Sequence, residues 1–201
     1  MTLISTRTFR NMLLLREDTA CCYKFESLKF TPTFDLVTFI NSLNFSHHFN
    51  KSGRKSVLFG DVRYDYAGVY HDPMHFTENL FVFEAFTYVS CLFPYLNLNS
   101  CLVNYYPDTS CIIPFHSDNE SSIYPDSYII TVSLGCTRTL TFKKILDSSM
   151  THHEQVTLSN GDVIAFSSNS QSYFSHGLTS EDPVIKIPRI SLTFRSLFPQ
   201  S

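Results

Sequence analysis

"RISLTFR", residues 189–195, alternates two kinds of side chain with a period of two. In an extended strand, residues two apart share a face. Ile190, Leu192 and Phe194 therefore point one way, and Arg189, Ser191, Thr193 and Arg195 point the other. One face is apolar; the other carries two guanidiniums. If the polar face looks into a barrel, two cations are buried, which is costly unless an anion meets them. The stretch thus predicts a β-rich fold whose interior receives a small dianion.

The sequence before it has the same texture. "CLVNYY" (101–106), "SYIITVSL" (127–134), "RTLTFKK" (138–144), "EQVTLSN" (154–160) and "GDVIAFS" (161–167) are short β-branched or aromatic runs between turn-prone residues. Earlier in the chain the period changes. Leu36, Val37, Ile40 and Leu43 fall at helical spacing behind a capping residue at Thr33, which predicts a helix over about 34–45. A second helix is expected over 77–93, "TENLFVFEAFTYVSCLF". The predicted fold class is α+β, mainly β: a double-stranded β-helix, or jelly roll, with N-terminal helices packed on one sheet. Residues 1–100 would form the helical support and 101–201 the jelly-roll core, within one structural domain.

Bulk properties narrow the function. The chain has 201 residues, a size that suits one core. A net charge of -3 gives no support to non-specific polyanion binding. Its apolar runs are far shorter than the roughly 20 residues of a membrane span, and no small-residue cleavage site follows "MTLISTRTFRNMLLL", so the N-terminus reads as mature protein. Six cysteines without a Cys-x-x-Cys pair suit a reducing compartment such as the cytoplasm. Neither a Gly-x-Ser-x-Gly elbow nor a phosphate loop is present, which argues against the commonest hydrolases.

"PFHSDNE", residues 114–120, sets His116 and Asp118 on one side of an extended segment. "YFSHGL" supplies a third candidate, His176. Two histidines and one carboxylate occupy three adjacent corners of an octahedron and leave positions open, the arrangement suited to iron(II) oxygenases. Each motif alone is weak. An His-x-Asp, a later His and an Arg-x-Ser-x-x-x-Arg strand, in that order, are together specific.

These motifs resemble the AlkB-like iron(II)- and 2-oxoglutarate-dependent dioxygenases, from "GRKSVLFGDVRYDYAG" (53–68) through "CLVNYYPDTSCIIPFHSDNE" to "RISLTFR". The texture is most like the AlkB domains embedded in replicase polyproteins of plant RNA viruses. The resemblance implies Fe(II) on His116, Asp118 and His176, with 2-oxoglutarate as cosubstrate and O2 as oxidant. Asn104 and Tyr106 would hydrogen-bond 2-oxoglutarate. Arg189 would pair with its distal carboxylate, assisted by Ser191, and Arg195 would lie near the metal and steady Asp118. "FGDVRYDYAG" resembles the family's nucleotide-recognition lid within residues 1–100. Tyr64 and Tyr66 would then stack on an extruded base against His116, Glu120 would touch the base edge and Arg54 would contact phosphate.

The implied reaction is oxidative removal of N-methyl groups from methylated single-stranded RNA or DNA, RNA favoured, releasing formaldehyde, succinate and CO2. The protein would be a monomer or part of a larger polyprotein, in the host cytoplasm if viral, with no membrane association. Plainer roles stand beside these. Tyr64 and Tyr66 also suit the core of a half-buried hairpin, Glu120 an exposed acid and "GRK" a solvated turn. Pro73 argues against a helix aligning His71 with His75, and His152 and His153 read as loop residues. Other functions compatible with the motifs are oxidation of a protein or small molecule, and a non-catalytic binding domain. The chain lacks tryptophan and has Asn119-Glu120 where several relatives have two acids, so it departs from the family near the substrate.

Overall fold

The computed structural model describes residues 11–17, 20–49, 52–66, 68–145, 153–181 and 184–199. In chain order, β1 (Asn11–Glu17) and β2 (Ala20–Lys29) precede α1 (Leu36–Ser42). There follow β3 (His47–Phe49), β4 (Arg54–Gly60) and the small hairpin β5 (Tyr64–Tyr66) and β6 (Val69–His71). Helix α2 (Leu80–Leu92) leads into β7 (Ser100–Tyr106), β8 (Ile113–His116), β9 (Tyr128–Gly135) and β10 (Arg138–Lys144). The chain then forms β11 (His153–Leu158), β12 (Asp162–Ser167), β13 (Phe174–Leu178) and β14 (Arg189–Arg195).

From β7 onward the chain builds a double-stranded β-helix. β7, β9, β12 and β14 lie in one sheet, while β8, β10, β11 and β13 form the other. Successive strands cross between the sheets except at the β10–β11 hairpin, and all strand pairings in both sheets are antiparallel. The larger sheet has eight strands in the order β1-β2-β12-β9-β14-β7-β4-β3, so the N-terminal part extends it at both edges.

The parity of β14 sorts the core into two. Ile190, Leu192 and Phe194 join Phe39, Val82, Ala85 and Val89 in a cluster between the large sheet and the helices. The opposite face looks between the sheets. Because both faces are covered, all seven residues of β14 are buried. At about 25 cal/mol per Å2 of apolar surface, each fully buried Leu or Phe contributes roughly 1.5–3 kcal/mol, so the helix-facing stripe holds the sheet that carries the site.

Three sequence expectations shift. Helix α1 begins after Asp35, not Thr33, because the Asp35 carboxylate accepts the Thr38 N–H at 2.9 Å. Thr33 instead ties to Glu84 of α2 through its N–H at 3.0 Å and its hydroxyl at 2.7 Å. Helix α2 starts at Leu80, since Asn79 Oδ1 caps the Phe81 and Val82 N–H groups, both at 3.1 Å; residues 76–78 form a separate 3-10 turn. The N-terminal part is not only helical: β1 and β2 pair along the edge of the large sheet, Phe25 opposite Val163 of β12. His153, expected in a loop, opens β11 opposite Lys143, and His152 lies outside the described residues.

Candidate active site

His116 ends β8, and its antiparallel partner across the small sheet is His176 of β13. Their ring centroids are 4.4 Å apart. Asp118 lies just past the end of β8, its N–H donating to Gln171 Oε1 at 2.9 Å. Ligand atoms of His116, Asp118 and His176 lie within 4.8 Å of one another.

The surroundings prepare these atoms for a cation. His116 Nδ1 is 2.8 Å from the Pro114 carbonyl, which can only accept, so Nδ1 carries the proton and Nε2 keeps its lone pair. Asp118 Oδ2 accepts from Arg195 Nη2 at 2.5 Å, whereas Oδ1 is buried with no hydrogen-bond partner. A buried, unpartnered carboxylate oxygen among two imidazoles fits a metal ion. Burial alone would raise the pKa of Asp118, but the Arg195 guanidinium and the neighbouring imidazoles drive it well below the carboxylate range. Burial lowers His176 to about 4, and so keeps it neutral and able to ligate. Burial also opposes the His116 cation; the adjacent Asp118 carboxylate, 3.5 Å from Nε2, outweighs it and raises that pKa.

A cavity opens beside the triad. Arg189 pairs across β7/β14 with Tyr106, and Ser191 with Asn104; all four side chains line the same cavity as the triad and Arg195. Arg189 Nε donates to Ser133 Oγ at 3.0 Å and its guanidinium lies 5.1 Å from the Tyr106 ring centre. Among the described residues no carboxylate pairs with Arg189. The Tyr106 hydroxyl is buried without a partner. A buried cation and a free hydroxyl suit one carboxylate of a small diacid, at a distance from the metal-facing end. Glycine is needed where the chain reaches this slot: Gly135 has φ +87°, and a Cβ there would come within 2.3 Å of the Pro188 carbonyl oxygen.

The proposed substrate residues fall differently. Tyr64 and Tyr66 are 0% and 5% exposed, in the β5–β6 hairpin that covers the triad. The Tyr64 hydroxyl donates to Glu120 Oε2 at 2.9 Å, and its ring lies 4.9 Å from the Arg195 guanidinium. Glu120 is thus drawn inward, and burial together with the charge of Asp118 raises its pKa. Tyr66 lines the cavity, its hydroxyl 3.2 Å from His116 Nε2. Arg54 is only 4% exposed and donates to Asn104 Oδ1 at 2.9 Å, so the structure removes it from the surface turn where a phosphate contact was expected. His71 and His75 do not converge: His71 is buried against Ser56, and His75 caps the 3-10 turn. Sequence reasoning missed Ser133, Gln171 and Arg138. The inward parity of β9 could have found Ser133. Arg138 is 1% exposed and bonds Glu181 at 3.1 Å and the Cys111 and Thr179 carbonyls, which binds together the loops that follow β7 and β13.

An antiparallel double-stranded β-helix that holds a two-histidine, one-carboxylate triad beside an arginine-lined slot defines a class of metal-dependent oxygenase. The family model described as the 2OG-Fe(II) oxygenase superfamily matches residues 41–195, and the chain belongs to that family. Among solved structures, that of OsALKBH1 is similar with a TM-score of 0.55 and 18% identity, covering 92% of this chain and 100% of that one. No curated protein matches the sequence. Family membership makes this chain a dioxygenase that uses Fe(II), 2-oxoglutarate and O2. No helix among the described residues is long and apolar enough to cross a membrane.

Proposed function

We propose that the enzyme is an AlkB-type oxidative demethylase that removes N-methyl groups from bases such as 1-methyladenine or 3-methylcytosine in single-stranded nucleic acid, with RNA preferred to DNA. The observation that carries this is the aromatic hairpin over the metal triad, with Tyr66 on the cavity wall beside His116. Their ring centres stand 5.8 Å apart at 77°. A flat base between two rings needs roughly 7 Å, two van der Waals separations. The Tyr66 side chain must therefore turn outward to admit one. Tyr64 is held by Glu120 and Arg195 and is the fixed wall rather than the moving one. A single strand suits this entrance because its base is extruded at lower cost than one held in a duplex.

His116, Asp118 and His176 would hold the iron, which with 2-oxoglutarate and O2 supplies the oxidation that converts an N-methyl group to a hydroxymethyl group, lost as formaldehyde. The remaining work belongs to the chain. Arg189, Ser191 and the Tyr106 hydroxyl bind the distal carboxylate, and Asn104 orients the other end. Arg195 keeps Asp118 ionised and holds its Oδ2, leaving Oδ1 as the oxygen that would ligate the iron. Leu140, Leu158 and Phe166 make the inner wall apolar and exclude water. The resemblance to replicase-embedded domains further supports a cytoplasmic enzyme, monomeric or within a polyprotein, that acts on viral RNA.

The test is incubation of N-methylated RNA and DNA oligonucleotides with Fe(II), 2-oxoglutarate and ascorbate, followed by mass spectrometry. Loss of the methyl group with formaldehyde release is expected, faster on RNA, and absent with His116→Ala. Retention of the methyl group on every oligonucleotide while wild-type protein still turns 2-oxoglutarate into succinate would redirect the search to protein or small-molecule substrates.

A further inference from the structure

Arg54 is a buried cation without an anion. It opens β4 at 4% exposure, and among the described residues it makes no ion pair. Its Nε has no hydrogen-bond partner. Such a group is expensive to bury, so the contacts that hold it are informative. Phe49, its cross-strand partner on β3, lies 4.0 Å beneath the guanidinium, and the Tyr66 ring 5.5 Å away. Nη1 donates to Asn104 Oδ1 at 2.9 Å. The strand register explains this meeting: Ser56 sits opposite Asn104, and Arg54, two residues before Ser56, is its same-face diagonal neighbour.

The chemistry of that hydrogen bond has one orientation. A guanidinium has five donors and no acceptor, so the Asn104 amide must turn its oxygen toward Arg54. The amide NH2 is then directed to the cavity that Asn104 lines. A 2-oxo diacid presents only acceptor oxygens there. The flipped amide would set a carbonyl oxygen against them. We propose that Arg54 is a positioning residue that locks Asn104 with its donor toward the cosubstrate and thereby sets the affinity for 2-oxoglutarate. The inference rests on 2-oxoglutarate occupying the slot beside Arg189.

The test is calorimetric titration of 2-oxoglutarate into the manganese(II)-loaded protein, so that binding is read without turnover. Arg54→Met should weaken 2-oxoglutarate about tenfold, the scale of one lost charge-assisted hydrogen bond, and leave manganese(II) affinity as in wild type. Arg54→Lys should recover part of the loss, because an ammonium also donates. In an Asn104→Ala background, Arg54→Met should add no further loss. Wild-type affinity in Arg54→Met, or a tenfold loss that persists in the Asn104→Ala background, overturns the proposal. Asn104→Asp guards against misfolding of the Arg54 variants. The new carboxylate pairs with Arg54, so the melting temperature should hold or rise while 2-oxoglutarate binding falls; unchanged binding there also overturns it. If wild-type protein binds no 2-oxoglutarate, the cosubstrate assignment itself fails, and this inference with it.

Discussion

At the scale of single residues, the Asp118–Arg195 pair decides most. Both side chains are almost fully buried, 2% and 3% exposed, and 2.5 Å apart. Removing one partner from such a pair leaves an uncompensated charge and costs about 3–5 kcal/mol. It also frees Asp118 to rotate, and loss of an outer partner weakens metal binding by roughly 10–100-fold. Arg195→Leu is therefore expected to lower both unfolding free energy and manganese(II) affinity, measured by urea denaturation and metal titration. A variant with wild-type metal affinity would show that Arg195 does not orient the ligand. This neighbourhood was legible because His116 and Asp118, and likewise Arg189 and Arg195, fall at even spacings that put them on one face. Arg54 was not, since its hydrogen bond to Asn104 spans 50 residues and its burial is set by β3, which has no local signal. The sequence pattern offered only a basic turn.

At the scale of elements, the turn from β11 into β12 is held by Asp162. Its carboxylate is 2% exposed, accepts the Ser159 N–H at 2.8 Å and pairs with Lys24 at 2.9 Å and with Lys29, both on β2. One side chain thus fastens the N-terminal extension to the jelly roll. Burial alone would raise its pKa, but the Lys29 and Ser159 hydrogen bonds, with Lys24, lower it. A depressed folded-state value means that its stabilisation is present above the unfolded value of about 3.9 and is lost as pH falls through the lower folded one. Asp162→Asn should cost about 1–2 kcal/mol at neutral pH, discounted because Lys29 is half-exposed. The difference from wild type should shrink below about pH 4 in thermal melts; a gap constant down to pH 2 would sink this assignment. The same extension marks a limit of the sequence. "NMLLLRE" and "ACCYKFESLK" have little β-branching, and only the pairing of β2 with β12, and of β1 with β2, makes strands of them. Helix starts were misjudged by a few residues for a related reason: Asp35 and Asn79 compete successfully with earlier caps.

At the scale of the whole molecule, the triad and slot are drawn from both sheets, so ligands should brace the entire fold. A ligand at a hundred times its Kd adds about 2.7 kcal/mol to a folded state that alone binds it. For a protein of this size that is a rise in melting temperature of roughly 5–10 °C. Manganese(II) with 2-oxoglutarate is expected to give such a rise, manganese(II) alone less, and a chelator should reverse both. Equal melting curves with and without ligands would place binding outside the folded core.

Strand β14 lies between β7 and β9, so the strand that closes the fold in sequence is interior to the sheet in space. His116, Asp118 and His176 all precede both guanidiniums in the chain. Pairings this distant along the chain form slowly. Until the final strand slides into its gap, a nascent chain has no seat for the diacid and no counter-charge for Asp118.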